Sequence, residues 1–225
     1  MYVNFFKRFF DFFLSLLALL VLSPVLLILT LVGAIAMRGN PFFVQKRPGK
    51  DERIFSIVKF RSMTGHRDKK TGRLLSDEER LTGYGKFLRA TSLDELPELW
   101  NILIGEMSIV GPRPQLVRDM VFMTPEQRTR HRVRPGLTGL AQASGRNNIT
   151  WEKKFEYDLE YIRHITLWGD IRILLKTVIS VLKREGVSEE GMATTADFGD
   201  YLLHKGDITQ EEYDRGQEEA RQLLK

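Results

Sequence analysis

Residues 12–37 read FFLSLLALLVLSPVLLILTLVGAIAM and contain no charged side chain. The run is longer than the roughly 18–20 apolar residues that identify a membrane helix. It is also longer than the apolar core of a cleaved signal peptide, which usually has about 7–15 residues. The sequence therefore predicts a membrane-embedded helix within residues 1–40.

Basic residues flank this segment at both ends. Lys7 and Arg8 precede it, and Arg38, Lys46 and Arg47 follow it. Cytoplasmic loops of membrane proteins are enriched in Lys and Arg, so a straight span would leave one basic flank on the opposite side. The flanks favour a segment whose two ends lie on the same side.

Ser23-Pro24 lies near the middle of the apolar segment. Proline lacks a backbone donor and clashes with the preceding turn, so a helix bends there. The Ser23 hydroxyl can then bond a carbonyl that Pro24 frees. The residues leave two interpretations open, which are a re-entrant helix broken at Ser23-Pro24 and a single span with a tolerated proline kink.

The composition excludes several classes of site. The chain has 225 residues, no cysteine and a net charge of +5. Disulfides, thiolate zinc sites, iron–sulfur clusters and cysteine nucleophiles are therefore excluded. There is no P-loop motif, and no Asp-x-Asp pair of the common metal-dependent glycosyltransferase site. The mild positive charge suits a domain on an anionic membrane leaflet and does not suggest a nucleic-acid partner.

The rest of the chain predicts a small, mostly helical α/β domain, so the fold class is α+β. Short strands are expected at residues 42–44 and 54–60, and helices at residues 151–162 and 171–182. Interfacial amphipathic helices complete this picture. The predicted division is 1–40 for the membrane helix, 41–185 for the α/β domain and 186–225 for a C-terminal tail with a helix.

Three polar segments carry capping signals. Residues Ser76 and Glu79, Thr124 and Gln127, and Thr209 and Glu212 each have the spacing that caps a helix start. The first pair ends a polar stretch, residues 64–80. That stretch is interpreted either as a lid over a site or as a disordered surface loop.

Residues 91–101 read TSLDELPELWN and hold the strongest candidate for chemistry, the acidic pair Asp94 and Glu95. Pro97 predicts a helix that begins around residues 92–96, which places both carboxylates at its positive end. Ser92 and Glu95 also have capping-box spacing, so a simple capped helix is the alternative interpretation.

Five cationic residues accompany the acidic pair: Lys59, Arg61, Arg89, Arg113 and Arg146. The first two are expected on one face of the second strand. Arginine on a rigid turn, such as the Gly-Pro-Arg-Pro turn at residues 111–114, suits a bidentate grip on phosphate oxygens. Singly, each could pair with a surface carboxylate instead. Together they favour a diphosphate substrate.

A diphosphate substrate also suits a divalent ion. Mg²⁺ usually takes one or two protein carboxylates plus substrate phosphates, a role that Glu95 can fill. Such cationic surroundings are expected to keep Asp94 ionised and nucleophilic.

Several motifs occur in the same order as in the bacterial sugar transferases: Lys59-Phe60-Arg61-Ser62-Met63, SLDELP at 92–97, Val110-Gly111-Pro112-Arg113-Pro114 and Arg134-Pro135-Gly136-Leu137-Thr138-Gly139. The chain resembles the short, monotopic phosphoglycosyl transferases of that family, including the bacillosamine-type enzymes of bacterial protein glycosylation. The resemblance implies a re-entrant helix broken at Ser23-Pro24, on the cytoplasmic face of the bacterial inner membrane. It places the family's catalytic dyad on Asp94 and Glu95.

The resemblance implies a two-step reaction in the domain at residues 41–185. Asp94 attacks the sugar-bearing phosphorus of a UDP-sugar, such as UDP-diacetylbacillosamine, and UMP leaves. Polyprenyl (undecaprenyl) phosphate then takes the phospho-sugar from the aspartyl intermediate, while Glu95 binds Mg²⁺ as cofactor. The residues Lys59, Arg61, Arg89 and Arg113 are expected to hold phosphate oxygens, with Arg146 nearer the nucleotide.

Expected partners are thus a UDP-sugar, polyprenyl phosphate, the membrane and a second copy of the chain in a homodimer. Two rival functions belong to other classes. One is a non-enzymatic membrane scaffold, and the other is a glycosyltransferase that transfers the sugar alone and releases UDP.

Overall fold

The computed structural model describes residues 2–68, 70–145, 149–183 and 196–225. Its helices are a π-helical turn Tyr2–Phe6, α1 Lys7–Ala36, α2 Asp77–Arg80, α3 Gly83–Thr91, α4 Glu98–Ile104, α5 Val117–Met120, α6 Pro125–Arg128, α7 Leu140–Gly145, α8 Trp151–Arg163, α9 Leu167–Leu182, α10 Phe198–Lys205 and α11 Gln210–Leu223. Short 3₁₀ turns cover Lys50–Glu52, Leu93–Glu95 and Thr129–Arg132. The strands are β1 Phe42–Pro48, β2 Ile54–Phe60, β3 Ser108–Val110 and β4 Gly136–Thr138. The described part of the chain is therefore a mostly helical α+β fold.

Helix α1 packs one face against the rest of the fold. Its buried residues are Asp11, Ser15, Leu29 and Gly33, whose spacing places them on one side of the helix. Only 11% of its most apolar 18-residue stretch is buried. The outward face is thus apolar and exposed, as expected of a helix in contact with lipid.

Helical structure continues through Pro24, so that Lys7–Ala36 is a single element. The Ser23 hydroxyl donates to the Leu20 carbonyl at 2.8 Å. This is the carbonyl four residues before Pro24, which has no N–H to reach it. The predicted local bond is confirmed, and the re-entrant course stays a prediction.

Polar bonds fix the start of α1 to the domain. The Asp11 carboxylate accepts from the Ile109 amide at 2.9 Å and from the Ser108 hydroxyl at 3.1 Å. Arg8 donates to the Ile102 carbonyl at the end of α4, at 2.6 Å. Asp11 and Ser108 are almost fully buried, so their bonds lie inside the fold and not on its solvent-exposed surface. These buried bonds fix the position of the helix.

The two predicted strands form an antiparallel hairpin, which pairs Phe42 with Phe60 at one end and Pro48 with Ile54 at the other. The first strand is longer than predicted and runs to Pro48. Under β2 lies a buried cluster to which α1 also contributes: Phe55, Ile57, Leu99, Ile102 and Met107, with Ala18, Leu19 and Leu22 packed against it. The membrane helix therefore shares a core with β2 and α4.

A second, parallel pair of strands, β3 and β4, is not predicted by the sequence. The Gly111 amide donates to the Thr138 carbonyl at 2.8 Å, and the Gly136 amide donates to the Pro112 carbonyl at 3.0 Å. A Cβ atom at Gly136 would lie 2.1 Å from the Gly111 nitrogen, so the close approach requires glycine. These bonds place the two proline-containing turns side by side.

The three predicted helix caps are confirmed. Ser76 with Glu79, Thr124 with Gln127 and Thr209 with Glu212 each form a reciprocal capping box. At the ends of the polar stretch, the Thr64 amide donates to the Arg80 carbonyl at 2.9 Å. The lid function of residues 64–80 stays a prediction.

The C-terminal tail packs on the domain through α10 and α11. The Phe198 side chain lies in a cluster with Met123, Trp151 and Phe155. The ring of Phe122 lies against both tail helices, because Cβ atoms built at Gly199 and Gly216 would come within 2.6 and 2.5 Å of it. Residues 184–195, which contain the predicted boundary at 185/186, lie outside the described residues.

Replacing Gly216 with valine tests this packing. The new side chain would overlap the Phe122 ring, so Gly216→Val should lower the free energy of unfolding by about 1–3 kcal/mol, the usual cost of overpacking. The matched control is Gly83→Val in α3, where a Cβ atom meets nothing within 4 Å. Thermal denaturation in detergent compares the two variants. Equal effects would show that the tail does not pack tightly on Phe122.

Candidate active site

The acidic pair lies on a 3₁₀ turn between two helices. Helix α3 ends at Thr91 and is followed by Ser92, whose backbone is left-handed with φ 56° and ψ 20°. The turn Leu93–Glu95 follows, and α4 begins only at Glu98 with Pro97 as its N-cap. Helical structure thus begins within the predicted range of residues 92–96, but as a 3₁₀ turn, and the α-helix itself begins two residues later, at Glu98. Ser92 makes no side-chain capping bond, so the capping-box alternative is not observed.

Apolar anchors on both sides hold this turn. Leu93 and Leu96 pack against a buried cluster that contains Phe60 and Leu88. Leu96 also contacts the cluster under β2. These contacts fix the backbone that carries the acidic pair, so its carboxylates are placed by the core rather than by a mobile loop.

Glu95 accepts two charged hydrogen bonds on one oxygen. Lys59 Nζ lies 2.8 Å and Arg113 Nη2 lies 2.7 Å from Glu95 Oε1. Burial alone would raise the pKa of Glu95, but the two cations hold that pKa well below its usual range. Glu95 is therefore a permanent anion that joins β2 to the turn after β3.

Asp94 has a different electrostatic environment. Burial, followed by the neighbouring charge of Glu95, raises the pKa of Asp94 to about 6, against the opposing effect of Lys59, Arg113 and Arg89. The sequence analysis expected the neighbouring cations to determine the ionisation of Asp94. In the structure, burial and the charge of Glu95 have the larger effect on its pKa. At pH 7 the carboxylate is still mostly ionised, and it is less strongly held by hydrogen bonds than Glu95 is.

Glu98 is a third carboxylate that the sequence analysis did not single out. Its Oε1 lies 2.9 Å from Lys59 Nζ, and the residue is 2% exposed. Burial raises its pKa to about 7, with Glu95 adding to the rise and Lys59 opposing it. The available signal was its position three residues after Glu95, since side chains three apart in a helix lie close together.

The other predicted cations differ in their outcome. Arg89 Nε donates to the Ser62 hydroxyl at 3.1 Å, and its charge acts on Asp94. The strand β2 ends at Phe60, and one residue further the Arg61 amide still donates to the Pro41 carbonyl at 2.7 Å. The shared face of Lys59 and Arg61 stays a prediction. Among the described contacts, no ion pair joins Arg61 to the acidic pair. Arg146 lies outside the described residues.

The second proline-containing turn, at residues 134–136, has a supporting role. Arg134 Nε donates to the Gly105 carbonyl at the end of α4, at 2.7 Å. The Pro135 carbonyl accepts from the Ser108 amide at 2.8 Å. Arg134 thus stabilises the end of α4, while Arg113 on the neighbouring turn contacts Glu95.

The residues present fit a magnesium ion that a substrate helps to bind. Within the described ranges, no group of three or more acidic or histidine residues could hold a metal ion by itself. Both cations on Glu95 use Oε1, which leaves the Oε2 atom as a further donor. A single carboxylate oxygen suits Mg²⁺, because this ion completes its shell with phosphate oxygens and water.

The chain is similar to known sugar transferases over most of its length. The profile of the bacterial sugar transferase family matches residues 2–184. The chain is 43% identical to the uncharacterized sugar transferase EpsL of Bacillus subtilis, over 85% of this chain and 95% of the relative. It is 42% identical to the UDP-glucose:undecaprenyl-phosphate glucose-1-phosphate transferase of Klebsiella pneumoniae, over 77% of this chain and 39% of the relative.

Identity to the undecaprenyl-phosphate galactose phosphotransferase of Salmonella typhimurium is 36%, over 81% of this chain and 42% of the relative. The chain thus spans nearly all of the Bacillus protein and about two fifths of the other two. Each match includes most of this chain, and the family profile includes all of the segments that form the acidic cluster. The chain belongs to the bacterial sugar transferase family.

Proposed function

We propose that this protein transfers a sugar-1-phosphate from a UDP-sugar to undecaprenyl phosphate, with release of UMP. The observation that supports the proposal most directly is the position of the Asp94 carboxylate, next to the fixed Lys59–Glu95–Arg113 network and within the field of Arg89. Relatives named for glucose-1-phosphate and galactose-phosphate transfer agree with this chemistry.

In the first step, a carboxylate oxygen of Asp94 attacks the sugar-bearing phosphorus. A phosphorus–oxygen bond to Asp94 forms, and the bond to the bridging oxygen breaks, so that UMP leaves with the electron pair. Lys59 and Arg113 neutralise the phosphate oxygens as charge moves onto the leaving group. When Mg²⁺ is bound at Glu95, it supplies further neutralisation of the diphosphate.

In the second step, an oxygen of undecaprenyl phosphate attacks the same phosphorus. The bond to Asp94 breaks, which regenerates its carboxylate and gives undecaprenyl-diphosphate-sugar. The lipid acceptor carries its own negative charge, so no general base is needed to activate it. Both steps use one carboxylate, since each substrate occupies the site in turn.

The path of α1 supports a monotopic arrangement. Near one end of the helix, Asp11 bonds to β3, and near the other end, Leu29 accepts from the Tyr84 hydroxyl at 2.8 Å. These contacts of both ends with the same domain support a placement of both ends on the same side of the membrane. Exposed Trp168, Leu175 and Ile179 on α9 add a second apolar surface. A cytoplasmic orientation is favoured by the basic residues at both ends of the segment.

The sugar is proposed only at the level of a UDP-linked hexose derivative. The resemblance in the sequence favoured an N-acetylated amino sugar such as diacetylbacillosamine, while two of the relatives are named for glucose and galactose. A substrate panel therefore includes UDP-glucose, UDP-galactose and UDP-linked N-acetylated amino sugars.

The covalent step has a direct test. Purified protein incubated with each UDP-sugar, without lipid acceptor, should gain the mass of one phospho-sugar on Asp94 and release UMP. The loading rate of Asp94→Asn should fall by more than about a thousandfold, as expected for removal of a nucleophile. Mass spectrometry and nucleotide chromatography measure both products.

The control for this test is Asp214→Asn on the exposed face of α11, which should load at the wild-type rate. Turnover by Asp94→Asn with both substrates present would contradict the covalent mechanism. Release of UDP would identify the glycosyltransferase instead. If no panel member is consumed or raises the melting temperature, the scaffold is favoured.

Removal of magnesium tests the role of Glu95. EDTA should abolish loading, and added Mg²⁺ should restore it. Glu95→Gln should need about tenfold more Mg²⁺ for half-maximal loading, a loss of about 1.4 kcal/mol in binding. Glu78→Gln on α2 is the control and should keep the wild-type titration. Loading that is insensitive to EDTA would exclude the proposed ion.

Cysteine labelling tests the membrane topology, and the chain suits it because it has no native cysteine. Single cysteines at Tyr2 and Asp51, before and after α1, should both react with a membrane-impermeant maleimide only after the inner membrane is permeabilised. A cysteine at Glu211 on α11 marks the side of the domain. If Tyr2 and Asp51 react from opposite sides, α1 is a through-span.

A further inference from the structure

The turn that carries Arg113 has few backbone donors. Pro112 and Pro114 have no N–H, so the turn must be held mainly through its carbonyl oxygens. The Pro112 carbonyl accepts from the Gly136 amide at 3.0 Å. The next carbonyl, that of Arg113 itself, accepts from Arg130 Nη2 at 2.6 Å. A side chain from a distant segment thus supplies the bond that no neighbouring amide supplies.

Arg130 is one of the most buried side chains in the described part of the chain, at 2% exposure. Its Nε and Nη2 atoms donate to Asp158 Oδ2 at 2.9 and 2.6 Å. Its guanidinium carbon lies 6.0 Å from the centre of the Phe155 ring. These contacts neutralise the buried charge and fix the plane of the guanidinium, so that Nη2 also reaches the Arg113 carbonyl.

A buried ion pair is weak evidence for stability, because the cost of removing two charges from water offsets their attraction. The Arg130–Asp158 pair therefore calls for a second explanation. Its geometry supplies one, since the same guanidinium that binds Asp158 holds the main chain of a residue in the acidic cluster.

Arg113 is held at two points. Arg130 binds its carbonyl, and Glu95 binds its guanidinium at 2.7 Å. The side chain of Arg113 is 43% exposed, so its own packing limits its rotamers only in part. When the backbone is fixed, the Arg113 side chain has fewer conformations to lose as its guanidinium binds. The entropic cost of its hydrogen bonds is therefore lower.

We propose that Arg130 is a positioning residue for the transfer reaction: it fixes the main chain at Arg113 and thereby directs the Arg113 guanidinium toward Glu95 and the phosphate oxygens of the substrate. This inference rests on the proposed function for its effect on rate. Its structural part concerns the coupling of Arg113 to Glu95 and can be measured without any substrate.

Arg130→Lys is the main test variant. Lysine keeps the charge that pairs with Asp158, but its compact ammonium lacks the planar fork that serves both Asp158 and the Arg113 carbonyl. The rate of phospho-sugar loading should fall by about tenfold to a hundredfold, as expected for small misplacements of a charged group. In an Arg113→Ala background the same change should have less than about a twofold effect.

The matched control is Arg128→Lys. Arg128 lies two residues away and pairs with Glu52, so it shares the segment but does not contact the turn. It should load within about twofold of the wild-type rate. Asp158→Asn is the second variant, because it leaves Arg130 in place and removes only its counter-charge. Additive effects of Arg130→Lys and Arg113→Ala would overturn the proposal.

The substrate-free measurement is a double-mutant cycle on stability. Arg113→Ala, Glu95→Gln and the double variant give the coupling between these two side chains. In the Arg130→Lys background this coupling should fall to less than half, and in the Arg128→Lys background it should be unchanged. An unchanged coupling in both backgrounds would overturn the positioning role. Reduced coupling in a protein that loads no sugar would support it and contradict the proposed function instead.

Discussion

The site depends on the convergence of two cations on one oxygen of Glu95. Lys59 comes from the end of β2 and Arg113 from the turn after β3, so Glu95 joins two segments that are far apart in the sequence. A buried carboxylate is costly unless it is paired, and here two partners pair it. The cations hold the pKa of Glu95 below its usual range, whereas burial and the charge of Glu95 raise the pKa of Asp94. The pKa values of the two adjacent carboxylates are thus pushed apart, and in the proposed function this separates a fixed anion, Glu95, from the nucleophile, Asp94.

The membrane helix is not a separate appendage, because it packs in the same core as the strand that carries Lys59. Ala18, Leu19 and Leu22 pack on the cluster that contains Phe55 and Ile57. Those two residues lie on the face of β2 that continues to Lys59, since side chains alternate along a strand. The position of the lipid-contacting helix and the position of the acidic cluster are therefore set by one core. A substrate whose phosphate lies at the membrane surface requires such a fixed height.

The sequence predicted the structural features that depend only on residues close together in the chain. The capping boxes at Ser76, Thr124 and Thr209 each need only residues three apart, and all three form. Ser92 has the same spacing but a left-handed backbone, which no local pattern indicated. Arg134 lies on a proline-containing turn, like Arg113, but its Nε bonds to the Gly105 carbonyl, a contact that the local sequence did not indicate. The β3–β4 pair and the contacts of Arg130 join segments that are distant in the sequence, so spacing could not predict them. The spacing of Glu98 from Glu95 was visible, but its contact with Lys59 on β2 was not.

The C-terminal tail also contributes to the site, although it lies beyond the part of the chain that matches the family profile, residues 2–184. Helix α5 follows the Arg113 turn and has only four residues, too few for an isolated helix to be stable in water. The Asp119 carboxylate caps it at the Leu116 amide at 3.0 Å and also accepts from the Phe198 amide at 2.9 Å. Ala220 of α11 packs in a cluster with Val117 and Met120 of α5. The Arg113 turn is thus held between the β3–β4 pair and a short helix that the tail stabilises. The tail therefore contributes to the order of the site, although its described residues, 196–225, supply none of the charged groups that bond to Glu95.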